Sequence, residues 1–262
     1  HNAATKLGPV LASGCTAVIK PATKTPLSTL YLGRILDRIG FPKGVINLVA
    51  GDAREISKTL SSSRIPAMLT MIGSTQGGLE MLRDSSTSIK RFSMELGGNA
   101  PVIVTPHADL KAAAEHTVGN KMRCAGQTCV APQRVFVHTS VLEPFTKLCV
   151  ELGNTAKCGM ADEDANTGAL ISGSAVRRME EIVADAVSKG ARVLCGGRRP
   201  EGKQGFYFLP TILTDVTADM RAVNEEIFGP IMSILPYETE EEVIAAANDT
   251  QYGLASYVWG TD

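Results

Sequence analysis

The chain reads as an α/β fold built on parallel sheets, and three observations predict this. Short β-branched runs alternate with helix-period apolar stripes through the first third. The same alternation returns after Asn99. A length of 262 residues, with 44% hydrophobic and 20% charged side chains, is enough for a sizeable core in an ordinary globular protein. Strand, helix, strand, helix at this spacing is the pattern of βαβ units.

The elements follow in order. Thr16 to Ile19 is a β-branched run broken by Lys20-Pro21. Pro26 sits where a first helical turn begins, and Leu27, Leu30, Leu32, Ile35 and Leu36 make an apolar stripe ending at Gly40. Val45 to Val49 is a second buried-type run, followed by Gly51-Asp52 and a helix to Leu60. Ala67 to Ile72 is a third, leading into Gly73-Ser74-Thr75-Gln76-Gly77-Gly78 and another helix. Beyond a glycine-interrupted seam at Leu96 to Asn99, Pro101 to Val104 reads as a strand and Ala108 to Met122 as a helix. Arg134 to Val137 reads as a strand, Val141 to Leu152 as a helix, and Val176, Met179, Ile182, Val183 and Ala186 mark a helix ending at Gly190. Strands are expected at Ala191 to Leu194, Tyr207 to Leu213, Pro230 to Leu235 and Ala255 to Trp259. Glu240 to Asn248 is a helix with Thr239 as its N-cap.

Composition narrows the function classes. A formal net charge of −1 without a long single-sign run argues against nucleic acid and anionic membrane surfaces. No apolar stretch reaches the roughly 18 residues a membrane span needs. The six cysteines (Cys15, Cys124, Cys129, Cys149, Cys158 and Cys195) are scattered, without metal-type pairing, in a chain too long for a disulfide scaffold. Five of them read as buried small hydrophobes, which suits a reducing, cytoplasmic compartment. Neither His1 nor Asp262 looks like a natural terminus, so the visible absence of a signal or transit peptide says little.

Four places stand out for chemistry. Cys129 ends Gly126-Gln127-Thr128-Cys129, a small-residue loop whose amides would favour a thiolate and a later oxyanion. Glu95, among apolar residues at a strand end and followed by Leu96-Gly97-Gly98, suits a general base shielded from water. Gly73-Ser74-Thr75, between strand and helix, would aim free N–H groups at a phosphate, although the G-x-G-x-x-G fingerprint is absent. Lys20 and Lys24 flank a strand end with no acid between them, a place where a dinucleotide ribose is held. Taken singly, each has a plainer reading: a core thiol, a rim carboxylate, a helix cap and two solvated lysines.

Taken together and in order, these residues resemble the aldehyde dehydrogenase superfamily over essentially the whole chain. The matching pieces are Leu7-Gly8-Pro9 to Ala17-Val18-Ile19-Lys20-Pro21-Ala22, Gly73-Ser74-Thr75, Glu95-Leu96-Gly97-Gly98-Asn99, Gly126-Gln127-Thr128-Cys129 and Glu225-Glu226-Ile227-Phe228-Gly229-Pro230. Gly98-Asn99-Ala100-Pro101 followed by Gly126-Gln127-Thr128-Cys129-Val130 is similar to the succinate-semialdehyde dehydrogenase branch. The resemblance implies part of a Rossmann-like NAD(P)-binding domain over 1–96, then part of an α/β catalytic domain over 97–262. It implies that Cys129 adds to an aldehyde, that a thioester follows hydride loss, and that Glu95 activates the hydrolytic water. It further implies that Lys20 meets the adenosine ribose, Gly73 and Ser74 the pyrophosphate, and Glu226 with Phe228 the nicotinamide-ribose end.

The carboxylate at Glu95 favours release of a free acid over transfer to coenzyme A. Thr23 stands where the family commonly has Glu, and Lys24 adds a positive charge, so a 2′-phosphate is tolerated and NADP or NAD is the expected cofactor. Ala131 replaces a second cysteine seen in some members, leaving Cys124 as the remaining redox candidate. Ile72 replaces the usual Thr before Gly73, with no role to assign. Family members are considerably longer, so the chain is expected to be an internal piece that exposes apolar faces and a sheet edge. The expected substrate is a small aldehyde, with succinic semialdehyde foremost, in a homo-oligomeric parent, dimer or tetramer. The rival reading is an incompetent fragment or pseudoenzyme that only binds nucleotide or a partner subunit.

Overall fold

The computed structural model describes residues 2–261, and its strands fall close to the β-branched runs. The chain divides between Leu96 and Gly97 into two units, each described by itself.

The first unit opens with helix α1 (Asn2–Ala12), which carries Pro9 and which the sequence pattern left unassigned. Strand β1 (Ala17–Ile19), helix α2 (Leu27–Arg38) and strand β2 (Ile46–Leu48) follow, with β1 and β2 parallel. Helix α3 (Ala53–Ser62) leads to strand β3 (Met68–Ile72), helix α4 (Thr75–Asp84) and strand β4 (Arg91–Glu95), with β3 and β4 parallel. These are two separate two-stranded sheets. Local chemistry starts the helices. Pro26, at φ −82°, immediately precedes α2; Asp52 accepts from Glu55 N–H (2.8 Å) and Ser74 from Gly77 N–H (3.1 Å). Each such cap contributes ~1 kcal/mol. The core is thin: Leu7 and Leu69 are the buried hydrophobics of this unit among the described residues, while Leu27, Ile39, Ile65 and Ile89 are exposed. Two-stranded sheets leave one edge of every strand unpaired, the exposure anticipated above.

The second unit holds strand β5 (Pro101–Val104), helix α5 (Leu110–Met122), strand β6 (Arg134–His138), and helices α6 (Leu142–Thr155) and α7 (Gly173–Ser188). Strands β7 (Arg192–Cys195) and β8 (Thr211–Thr214), the short helix α8 (Arg221–Asn224), strand β9 (Ile231–Tyr237), helix α9 (Glu240–Asn248) and strand β10 (Tyr257–Trp259) complete it. One six-stranded sheet runs β10-β5-β6-β9-β8-β7, parallel except for the antiparallel edge strand β7. Its central strands are buried on both faces, which explains the continuous apolar runs of β6 and β9. Val118 and Met122 of α5, Phe145 and Cys149 of α6, and Ile212, Met232 and Ile234 of the sheet share one core cluster. Met179 and Ile182 of α7 join Phe208, Ile227 and Ile231 in another. Each such fully buried side chain contributes roughly 1.5–3 kcal/mol.

Three expectations need correction here. The strand expected over Tyr207 to Leu213 begins only at Thr211, because Pro210 has no N–H to donate to a ladder. Edge strand β7 runs antiparallel, a pairing the periodicity did not distinguish. Five cysteines do not form a buried set: Cys149 and Cys195 are buried and Cys158 half-buried, but Cys15 and Cys124 are exposed.

Candidate active site

In the second unit, α5 runs out at Met122 and the chain tightens into a 3-10 turn, Arg123–Gly126. Cys124, Ala125 and Gly126 have φ of 52°, 53° and 70°. Non-glycine residues in the left-handed region cost about 1 kcal/mol or more each, so distant contacts have to hold this turn. Gln127 does so: Nε2 donates to Cys124 O (2.9 Å) and Ala169 O (3.3 Å), and Oε1 accepts from Ile171 N–H (2.8 Å). The Tyr257 hydroxyl donates to Val130 O at 2.8 Å. Gly98 backs so closely onto the loop that a Cβ there would overlap the Cys129 carbonyl oxygen.

Cys129 itself is half-buried. Its amide N–H has no hydrogen-bond partner among the described residues, as an oxyanion donor requires. The Gln127 amide is taken by Cys124 O (3.1 Å), so the expectation that the loop amides converge on one acceptor does not hold for Gln127. Burial pushes the Cys149 thiol up to about 12, with Cys195 adding to the effect, and raises Cys195 and Cys158. Those thiols are inert at neutral pH.

The turn between α8 and β9 meets this loop. Glu226 is half-buried and its Oε1 accepts from Gly98 N–H at 3.1 Å. Burial raises the Glu226 carboxyl, against the opposing pull of the Gly98 hydrogen bond and the Arg178 and Lys121 charges. Glu225 faces the other way, toward Arg221 (2.8 Å) and Arg178 (2.9 Å), and the Arg221 hydrogen bond leads in holding its carboxyl low. Phe228 has φ 51° and a partly exposed ring. The structure thus brings Cys129, Gly98, Glu226 and the Phe228-Gly229 turn together within one unit.

Sequence reading missed Gln133, Arg178 and Lys121. Lys121, in the last turn of α5, is 1% exposed. Burial lowers its ammonium from 10.5 to about 7, with Glu226 acting in the opposite direction. In the unfolded chain the group keeps its ordinary value near ~10.4. Between about pH 7 and pH 10 the unfolded state therefore holds a proton that the folded state has shed, and stability rises with pH across that window. The limiting slope for one proton is about 1.4 kcal/mol per pH unit. We expect Lys121→Met to be more stable than the wild type at pH 7 and to lose this rise. Urea midpoints of both proteins against pH test it, and two parallel curves would refute the assignment.

In the first unit, Glu95 is the last residue of β4, but its side chain is 50% exposed rather than enclosed by apolar neighbours. The two-stranded sheet covers too little of β4 to bury it. Lys6 Nζ approaches Glu95 Oε1 at 3.4 Å and donates to Ser93 Oγ at 3.2 Å, a partnership invisible in the sequence because α1 was unassigned. Gly73 follows β3, and Ser74 caps α4. A Cβ on Gly73 or Gly77 would meet the terminal methyl of Met71, the end of a flexible side chain that can swing aside, so packing alone does not demand glycine at either position. Lys20 Nζ donates to Pro21 O at 2.8 Å, leaving two further donors on the ammonium. Thr23 and Lys24 are exposed in a turn closed by Thr25 N–H to Ala22 O (3.2 Å).

The donor set fits a dinucleotide: a helix start with a capped first turn after a parallel strand, and a half-buried lysine after another. Among the described residues no group of His, Cys, Asp or Glu is arranged to hold a metal ion, and no helix is long and apolar enough to cross a membrane.

Comparison with known proteins agrees with this chemistry. The chain belongs to the aldehyde dehydrogenase family, whose sequence profile matches residues 1–262. It is 44% identical over 263 residues to a glutarate-semialdehyde dehydrogenase of Pseudomonas aeruginosa, covering 98% of this chain and 53% of that protein. It is 43% identical over 258 residues to an NADP(+) succinate-semialdehyde dehydrogenase of Escherichia coli, again covering 98% and 53%. The crystal structure of an E. coli NADP-dependent enzyme superposes with a TM-score of 0.94 at 42% identity, covering 97% of this chain and 53% of that one. The chain therefore spans about half the length of the curated relatives it matches.

Proposed function

We propose that this chain carries the nucleophile, the base and much of the cofactor contact surface of an NAD(P)-dependent, hydrolytic aldehyde dehydrogenase acting on a small semialdehyde. The observation that carries the reading is the Cys129 loop, with its left-handed turn, its Gln127 brace and its unpartnered Cys129 amide. The Cys129 thiolate adds to the carbonyl carbon, and the Cys129 N–H donates to the oxygen that becomes negative. When bound, the nicotinamide supplies the hydride acceptor. The resulting thioester on Cys129 is cleaved by water whose proton Glu95 takes. Lys6 holds the Glu95 carboxylate in place until then. Glu226 receives the nicotinamide ribose, with Phe228 beside it; Ser74 and the first turn of α4 receive the pyrophosphate.

The 1–96 unit is the nucleotide-binding part in this reading, and the 97–262 unit the catalytic part. Semialdehydes are the favoured substrate class because the relatives named above act on them. Homo-oligomerisation of the parent belongs to the same proposal.

Cofactor choice follows from charge. With Lys20 and Lys24 near the adenosine ribose and Thr23 neutral, NADP is expected to bind at least about tenfold more tightly than NAD at low salt, from one additional close charge pair. Titration of both nucleotides against the purified protein checks this. A preference for NAD would transfer the ribose contact to other residues. The activity test is reduced-cofactor absorbance with succinic or glutaric semialdehyde. Acid formation at the expense of NAD(P) supports the proposal, whereas folded protein that binds neither nucleotide refutes it.

A further inference from the structure

We infer that Gln133 is a positioning residue for the nicotinamide end of the cofactor, an inference that rests on the dinucleotide reading above. Gln133 precedes β6 and is 3% exposed. Its carboxamide straddles Glu226: Oε1 accepts from Ile227 N–H at 2.8 Å, and Nε2 donates to Glu225 O. Nε2 also donates to Asn99 Oδ1 at 2.7 Å. These partners fix the amide orientation, since a flipped amide would set N–H against N–H at Ile227.

The peptide groups on both sides of Glu226 are therefore held by one buried side chain. Arg178 Nη2 closes the set by donating to Glu226 O at 2.9 Å. Asn99 is 4% exposed and donates through Nδ2 to Val223 O at 2.8 Å, so the same network anchors the end of α8. Gln133 is itself tied down: its N–H donates to Ala100 O (3.1 Å) and its carbonyl accepts from Ser233 N–H (2.9 Å).

This arrangement couples two parts of the site. Gly98 N–H holds the Glu226 carboxylate, while the α-carbon of Gly98 packs against the Cys129 carbonyl. The carboxylate can meet a ribose at a fixed distance from the thiol only if its own backbone is fixed, and Gln133 does this. Every polar atom of the carboxamide is engaged by groups of the turn or of Asn99, and the side chain reaches no substrate. Its action on the reaction passes through Glu226.

The test compares wild type, Gln133→Met and Gln133→Glu by three measurements. These are NADP affinity, affinity for adenosine 2′,5′-bisphosphate (which lacks the nicotinamide half) and the rate of Cys129 alkylation by iodoacetamide. The expected result is a tenfold or greater loss of NADP affinity in both variants. The bisphosphate affinity and alkylation rate should stay within about twofold of wild type, since the bisphosphate lacks the nicotinamide half and the Cys129 loop keeps its Gln127 and Tyr257 hydrogen bonds. Hydrogen exchange at the Ile227 amide should accelerate in Gln133→Met, which removes its acceptor. Parallel losses in all three measurements would mark a purely structural side chain and overturn the inference, as would unchanged NADP affinity. If Gln133→Met does not fold, the volume-matched Gln133→Glu decides alone; unfolding of both would make the role structural and overturn it too. Wild-type protein that binds neither nucleotide would remove the parent reading, whereas bisphosphate binding with an unaltered NADP constant removes only the inference.

Discussion

Replacing Cys129 with alanine is expected to lower aldehyde oxidation by more than about 10⁴-fold while nucleotide binding persists, the scale on which loss of an activated nucleophile acts. The loss is specific to one sulfur. Cys124 lies five residues upstream and is exposed, so exposure alone does not choose between them. The proposal rests on Cys129, whose amide has no hydrogen-bond partner among the described residues and whose carbonyl is seated against Gly98. Cys124→Ala should therefore retain most of the activity. Glu95→Gln is expected to give a third, different outcome: one rapid burst of reduced cofactor, then slow turnover, because in the proposed mechanism the thioester forms but water is not activated. Steady-state and burst kinetics of the three variants in the full-length protein separate these roles. Full activity in Cys129→Ala, or its loss in Cys124→Ala, would move the nucleophile elsewhere.

Gly126→Ala is expected to destabilise the second unit by roughly 3 kcal/mol or more, the sum of backbone strain and overpacking. Two causes act together. The residue sits at φ 70°, and a Cβ would overlap the Gly229 carbonyl oxygen, which belongs to backbone and cannot rotate away. The two loops would have to part, carrying the Phe228 turn away from Cys129. Gly119→Ala is the matched control, because Gly119 lies inside α5 with open space at its Cβ. It should stabilise by up to ~1 kcal/mol through helix propensity. Denaturant midpoints of the two variants are the measurement. A Gly126→Ala protein as stable as wild type would mean that the loops are not in the close contact described.

The elements themselves were legible because their causes are local. Asp52, Ser74 and Thr239 each cap a helix with an amide three residues on, and such pairs are visible in any window of four residues. Largely apolar runs marked β6 and β9 as strands for the same reason. Helix α1 escaped notice because Gly8-Pro9 interrupts its stripe, and with it went the Lys6 partnership of Glu95. The expected enclosure of Glu95 failed because burial depends on how many strands flank β4, which its neighbours in sequence do not specify.

The amino-acid order by itself determined the α/β class, the thiol at Cys129, the carboxylate at Glu95 and the family to which they point. Only the tertiary structure decided how the second unit's site is held. Gln133 reaches Ile227 across 94 positions and Gly98 reaches Glu226 across 128. Those meetings exist because strand order β5-β6-β9 lays the chain before β5, the chain before β6 and the chain before β9 side by side at the same end of a parallel sheet. A hydrogen bond needs its atoms within about 3 Å, and no periodicity in a sequence encodes a distance between residues so far apart in the chain.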